Sequence, residues 1–201
     1  MRGDKLIFLE KHALKAKTIF DRLQSDSRPK IIVVIGGGPG TGKSEIVYLT
    51  QELLLKTGVR SFNISLDDYY ILPPEKRKNR KLADIGPAEI DWARVGSICR
   101  SFLRDKTTRL QEFDRFNQKF HSLRVKLDPP VLFIDGLYAL YLKTITSLPC
   151  LGIYLEGTPL STYQFRRLRG KENVDELTRK LIVLREFKEA KALKQLADVI
   201  L

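Results

Sequence analysis

The residues Gly37-Gly38-Pro39-Gly40-Thr41-Gly42-Lys43-Ser44 satisfy the pattern G-x-x-x-x-G-K-[ST]. Glycines at these positions let backbone N–H groups turn inward around phosphate oxygens. Lys43 would reach the β- and γ-phosphates, and the Ser44 hydroxyl would ligate Mg²⁺. The implied ligand is a nucleoside triphosphate, taken to be ATP, with its Mg²⁺. Three further groups could act on it. Asp67 and Asp68 stand before Tyr69 and Tyr70 in Ser65-Leu66-Asp67-Asp68-Tyr69-Tyr70. A carboxylate there can accept the proton of an attacking hydroxyl, and the tyrosines offer an organic acceptor a stacking or hydrogen-bonding wall. Asp135 closes the run Val131-Leu132-Phe133-Ile134 and is suited to hold Mg²⁺ directly or through water. Arg166 and Arg169, in Arg166-Arg167-Leu168-Arg169-Gly170-Lys171, can stabilise charge spread over a transferring phosphoryl group.

The elements that must position these groups follow from hydrophobic pattern. Lys30 to Ile35 is a continuous β-branched run of the kind a strand shows when both faces of a parallel sheet are covered. It feeds directly into the glycines, and a helix is expected from Lys43 to Lys56, closed by Gly58. Its N-terminus would point its dipole at the bound anion. Arg60 to Leu66 reads as a second strand, which puts Asp67 at a carboxyl end, where ligands of open α/β sheets bind. Residues 67–86 read as a long acceptor-side loop, Pro87 to Arg104 as helix, and Val131 to Ile134 and Leu151 to Leu155 as buried strands. Thr158 to Leu168 and Asp175 to Gln195 read as helices, and Ala197 to Leu201 as a last strand. Residues 1–28 hold an amphipathic helix whose apolar stripe is Leu6, Leu9, Ala13, Ala16, Phe20 and Leu23, with Lys5, Lys11, Lys15 and Arg22 opposite. The fold class is α/β, a doubly wound, mostly parallel sheet in one domain over 1–201, with a mobile lid at 166–178.

A phosphate loop of this type serves GTPases, ATPase motors and metabolite kinases alike. No Asn-Lys-x-Asp guanine-reading segment is present, and Asp135 is followed by Gly136, not by a second acidic residue that would activate water. A kinase acting on a small hydroxyl acceptor is therefore favoured. An ATPase or switch coupled to a macromolecular partner is the alternative.

At this point the chain resembles the uridine kinase and phosphoribulokinase superfamily of P-loop metabolite kinases. The likeness runs over most of 30–201 and rests on the phosphate loop, Ser65 to Tyr70, Val131 to Leu140 and Leu196-Ala197-Asp198-Val199-Ile200. The resemblance implies a catalytic base at Asp67 and an Mg²⁺-supporting acid at Asp135, where the family usually has Glu. It implies that Asp84, in Asp84-Ile85-Gly86-Pro87, contacts ribose hydroxyls, although Ile85 stands where the family has His. Phe113-Asp114-Arg115-Phe116-Asn117-Gln118 is similar to the stretch that reads the nucleobase, with Phe113 in place of Tyr and Gln118 where a His would be. Arg166 and Arg169 fall in a position similar to the family's arginine-bearing lid.

Composition sets the outer bounds. The chain has 201 residues, 43% of them hydrophobic, and a formal charge of +12. Such an excess asks for an anionic partner, and polyphosphate serves as well as nucleic acid. Part of the excess lies in Lys76-Arg77-Lys78-Asn79-Arg80-Lys81, which reads equally as a solvated loop. With no stripe along one long helix, nucleic acid is the less favoured partner. Cys99 and Cys150 are far apart and outside any metal-ligand spacing, and His12 and His121 stand alone, so neither disulfide nor zinc is expected. No apolar run approaches the roughly 18 residues needed to span a bilayer. A soluble cytoplasmic protein without a membrane partner is expected, and a homo-oligomer is compatible with the sequence.

Overall fold

The computed structural model describes residues 6–77, 80–114, 116–117, 119–170 and 172–201. Lys5, Lys78, Asn79, Arg115, Gln118 and Lys171, named above, lie outside the described residues. In chain order the elements are α1 (Glu10–Gln24), β1 (Ile31–Gly37), α2 (Lys43–Lys56), β2 (Ser61–Ser65), α3 (Pro74–Arg77) and α4 (Trp92–Leu103). There follow β3 (Thr107–Asp114), β4 (Lys119–Lys126), β5 (Val131–Asp135), α5 (Leu142–Ile145), β6 (Cys150–Leu155), α6 (Tyr163–Arg169), α7 (Leu177–Ala192) and β7 (Val199–Ile200).

The main sheet is parallel, in the order β2-β5-β1-β6-β7. β1 is buried along its whole length, and its alternating side chains feed two cores. Ile32 and Val34 join Val95, Ile98 and Phe102 of α4 on one face. Ile31, Val33 and Ile35 join Ala16, Ile19 and Leu23 of α1 and Ile46, Val47 and Leu54 of α2 on the other. This double coverage explains the unbroken β-branched run in the sequence. Register then aligns the ends. Ile35 and Ser65 both pair with Asp135, so β1, β5 and β2 finish at one level, and the phosphate loop, Asp135 and Asp67 emerge from the same edge. Among the described residues, no helix is long and apolar enough to cross a membrane.

Three expectations need correction. The buried stripe of α1 is His12, Ala16, Ile19 and Leu23, while Ala13 is exposed. The helix is thus rotated relative to a stripe drawn through Leu6 and Leu9, because both precede its first turn and set no phase for it. The stretch 67–86 is not a plain loop, since it holds α3 and short 3₁₀ turns at Leu66–Asp68 and Leu82–Asp84. Residues 105–128, to which no element was assigned, contain an antiparallel hairpin of β3 and β4, with Phe113 paired to Phe120.

The basic cluster is likewise less solvated than composition suggests. The Arg77 guanidinium lies 3.8 Å over the Tyr70 ring. The Arg80 side chain is only 7% exposed and bonds Glu89 at 3.0 Å and Glu186 at 2.5 Å. Burial raises the Glu89 pKa, with Arg80 working against that rise. Removing one partner of a buried pair strands the others. Arg80→Ala is expected to cost about 3 kcal/mol, the low end for such a loss because Arg179 still bonds Glu186. A denaturant midpoint measured against the parent chain would check this.

Candidate active site

The phosphate loop leaves β1 through backbone that only glycine accepts at low cost. Gly40 has φ +75° and Gly42 φ +87°. Space forbids side chains there too. A Cβ on Gly40 would stand 2.5 Å from Arg166 Cγ, and one on Gly42 would stand 2.5 Å from His12 Nε2. The Thr41 hydroxyl donates to the Gly38 carbonyl at 3.0 Å, bracing the loop from within. Gly42 is the N-cap of α2, whose first amides face the loop. Lys43 Nζ donates to the Gly37 and Gly38 carbonyls, each at 2.8 Å. Burial brings the Lys43 pKa down to about 8, Arg169 adds to the fall, and the carboxylates of Asp135 and Asp67 oppose it.

Behind the loop, Ser44 Oγ donates to Asp135 Oδ2 at 2.9 Å, and Asn63 Nδ2 donates to Asp135 Oδ1 at 3.1 Å. Asp135 is 2% exposed; burial raises its pKa and these two hydrogen bonds restrain the rise. Hydroxyl and carboxylate oxygens are the donors a hard divalent cation takes. Among the described residues no group of three or more His, Cys, Asp and Glu could enclose a metal ion. Ser44 and Asp135 thus suit Mg²⁺ held mostly through phosphate and water, the usual way it is bound beside a nucleotide.

At the end of β2 the two aspartates part company. Asp67 is half-buried, and its charge acts on both Lys43 and Asp135. Asp68 is buried and turns toward the hairpin, where its Oδ1 accepts from the Phe113 amide at 2.9 Å; burial pushes its pKa up to about 6. The tyrosines part likewise. Tyr70 sits under Arg77, within electrostatic reach of Asp67 and Tyr138. Tyr69 is 1% exposed in the core, and its hydroxyl accepts from the Gln111 amide at 3.2 Å. The expectation that Tyr69 helps wall the acceptor gives way, because its ring is buried in the core and its hydroxyl is taken up by the Gln111 amide.

Other expected residues are more scattered. Phe113 is buried edge-on against Phe120, their ring centroids 5.0 Å apart. Asp84 is exposed at the end of a 3₁₀ turn, where its amide donates to the Lys81 carbonyl at 3.0 Å, and its side chain makes no hydrogen bond or ion pair among the described residues. Arg166 is 8% exposed; its stem packs on Gly40, and its Nη1 pairs with Glu172 at 3.0 Å. Arg169 stands 3.5 Å from Glu45.

Sequence reasoning did not single out Glu45, Glu186 or Arg179. Arg179 bonds both Glu172 and Glu186, and so completes a line of alternating charge from Glu89 through Arg80, Glu186, Arg179 and Glu172 to Arg166. The one available signal was the spacing of Glu172, Arg179 and Glu186. Steps of seven bring residues back to one face of a helix, and the last two lie on α7.

Comparison with known proteins agrees with this geometry. Residues 32–160 match the Phosphoribulokinase / Uridine kinase family. A uridine kinase of Mycoplasma pneumoniae is 30% identical over 138 residues, which is 66% of this chain and 63% of that relative's length. Among solved structures, a candidate fructose transport system kinase of a Silicibacter species superposes with a TM-score of 0.66 at 19% identity, covering 94% of this chain and 98% of that one. A candidate uridine kinase of Bacillus stearothermophilus gives 0.63 at 14%, with the same coverages. These two show the shared α/β fold. With the family match spanning most of the chain, the protein belongs to the Phosphoribulokinase / Uridine kinase family.

Proposed function

We propose that this protein transfers the γ-phosphoryl group of ATP to a hydroxyl of a small metabolite. The observation that carries the reading is the divergence of Asp67 and Asp68. The Asp67 carboxylate stands within electrostatic reach of Lys43 and Asp135, and the Asp68 carboxylate is committed to the hairpin. A carboxylate beside the phosphate loop and apart from the Ser44–Asp135 pair is suited to take the proton of an acceptor hydroxyl.

In this reading the loop amides and Lys43 hold the triphosphate, and α2 directs its positive end at the same anion. Mg²⁺, held by Ser44 and Asp135, would neutralise phosphate charge. The acceptor enters on the side of Tyr70 and Asp67. Asp67 takes the hydroxyl proton as the acceptor oxygen bonds to the γ-phosphorus and the bond to the ADP oxygen breaks. Arg166 and Arg169 supply charge to the transferring oxygens as α6 and the turn after it close over the loop. The test is ADP release measured across a panel of nucleosides, sugar phosphates, pantothenate and glycerate. At least one acceptor should raise ADP release far above the rate with ATP alone. Release that no acceptor changes, or that only a macromolecule stimulates, would favour an ATPase.

The lid arginines give a narrower check. Because both contribute to a closed state, replacing Arg166 or Arg169 with Ala is expected to lower kcat about 10²-fold while the KM for ATP changes far less. Equal effects on the two constants would make them ground-state ligands.

A further inference from the structure

Glu45 is the third residue of α2, and its side chain is completely buried. Neither of its oxygens accepts a hydrogen bond among the described residues. A buried carboxylate without hydrogen bonds is costly unless opposite charge stands close, and such groups call for an explanation. The nearest cation is Arg169, whose Nε is 3.5 Å from Glu45 Oε1 and whose ring neighbour is Phe165. His12 closes the other side. Its Nδ1 accepts from the Leu9 amide at 3.3 Å, so a neutral imidazole carries its proton on Nε2. That nitrogen is buried beneath Gly42 without a hydrogen-bond partner, and the ring meets Phe165 edge-on at 5.1 Å. Burial lowers the His12 pKa while the Glu45 charge raises it, which places the two groups in mutual reach. Three elements thus converge under the phosphate loop: α1 through His12, α2 through Glu45, and α6 through Phe165 and Arg169.

From this arrangement we propose that Glu45 is a positioning residue for phosphoryl transfer, fixing the Arg169 guanidinium at the rim of the phosphate loop, with His12 packed behind it so that neither can retreat. A guanidinium free in solvent would have to be ordered at each turnover, whereas one held by an immobile carboxylate is already aimed. Glu45 touches no substrate and acts through Arg169. Arg169 in turn is close enough to Lys43 to depress the ammonium's proton affinity.

The role rests on the kinase reading above, and its test separates the two. Calorimetry would compare the affinity for ADP and Mg²⁺ with and without aluminium fluoride, which mimics the transferring phosphoryl group and needs no acceptor. Glu45→Gln and Arg169→Ala are each expected to remove about 10-fold of the fluoride-dependent gain in affinity, and the double variant no more than the larger single loss. Glu45→Met is similar in length and buries no unsatisfied amide, while Arg169, 15% exposed, can turn to solvent; folded Glu45→Met protein should lose the same gain, so the result does not hang on Glu45→Gln folding. Losses that multiply in the double variant, or a Glu45→Met protein that keeps the full gain, would overturn the positioning role. A parent protein that gains nothing from fluoride and shows no acceptor-dependent ADP release would instead remove the kinase reading itself.

Discussion

Lys43→Ala is expected to lower phosphoryl transfer by at least 10²–10³-fold, as loss of a principal charge on the transferring group does in comparable sites. The variant should also bind ATP with Mg²⁺ more weakly. The ammonium is held by the Gly37 and Gly38 carbonyls at the mouth of the loop, and burial has already brought its pKa down to about 8. A cation stripped of water in this way interacts more strongly with an arriving polyanion than a solvated one. Lys43→Arg should not rescue it, since a planar fork cannot occupy the place of a point charge between two carbonyls. Calorimetry is the measurement. Unchanged nucleotide affinity together with normal turnover would mean that nucleotide chemistry occurs elsewhere.

Asp67→Asn carries the second large effect. Amide and carboxylate have the same shape, so nucleotide affinity is expected to stay nearly intact while transfer falls by on the order of 10²-fold or more. Asp68 is the internal control. It accepts the Phe113 amide, which an Asn oxygen can also do, so Asp68→Asn should be the milder change in turnover. Loss of nucleotide binding in Asp67→Asn would assign it to the metal instead. Equal behaviour of the two variants would mean that the strand end is read wrongly.

The parallel sheet was legible because its strands are buried on both faces. Ile31 to Ile35 and Val131 to Ile134 carry no polar residue to confuse the period, and glycines mark where the first one ends. The phosphate loop was legible because phosphate binding fixes residue types at fixed spacing. The hairpin was not, since β4 is exposed along nearly its whole length and its charged residues resemble a loop. The phase of α1 was missed for a related reason. His12 takes a core position because it can be buried neutral, and hydropathy counts it as polar. Arg80 and Glu186 could not be paired from sequence at all. Their 106-residue separation closes only when α7 packs beside the loop after β2.

The tether between Asp68 and the hairpin constrains anyone who would redesign this protein for a new acceptor. The Phe113 amide is bonded to Asp68, and the Gln111 amide and side chain to Tyr69 and Asp68. Asp68 is the covalent neighbour of Asp67, about 3.8 Å away along the backbone. A transplanted hairpin that does not offer donors at the positions of Gln111 and Phe113 would loosen the turn that aims Asp67. On the proposed reading, such a chimera is expected to lose transfer even where it binds its intended compound. On the same reading, the graft has to be cut outside the β3 residues that bond Asp68 and Tyr69, with selectivity varied along β4, which is exposed along nearly its whole length.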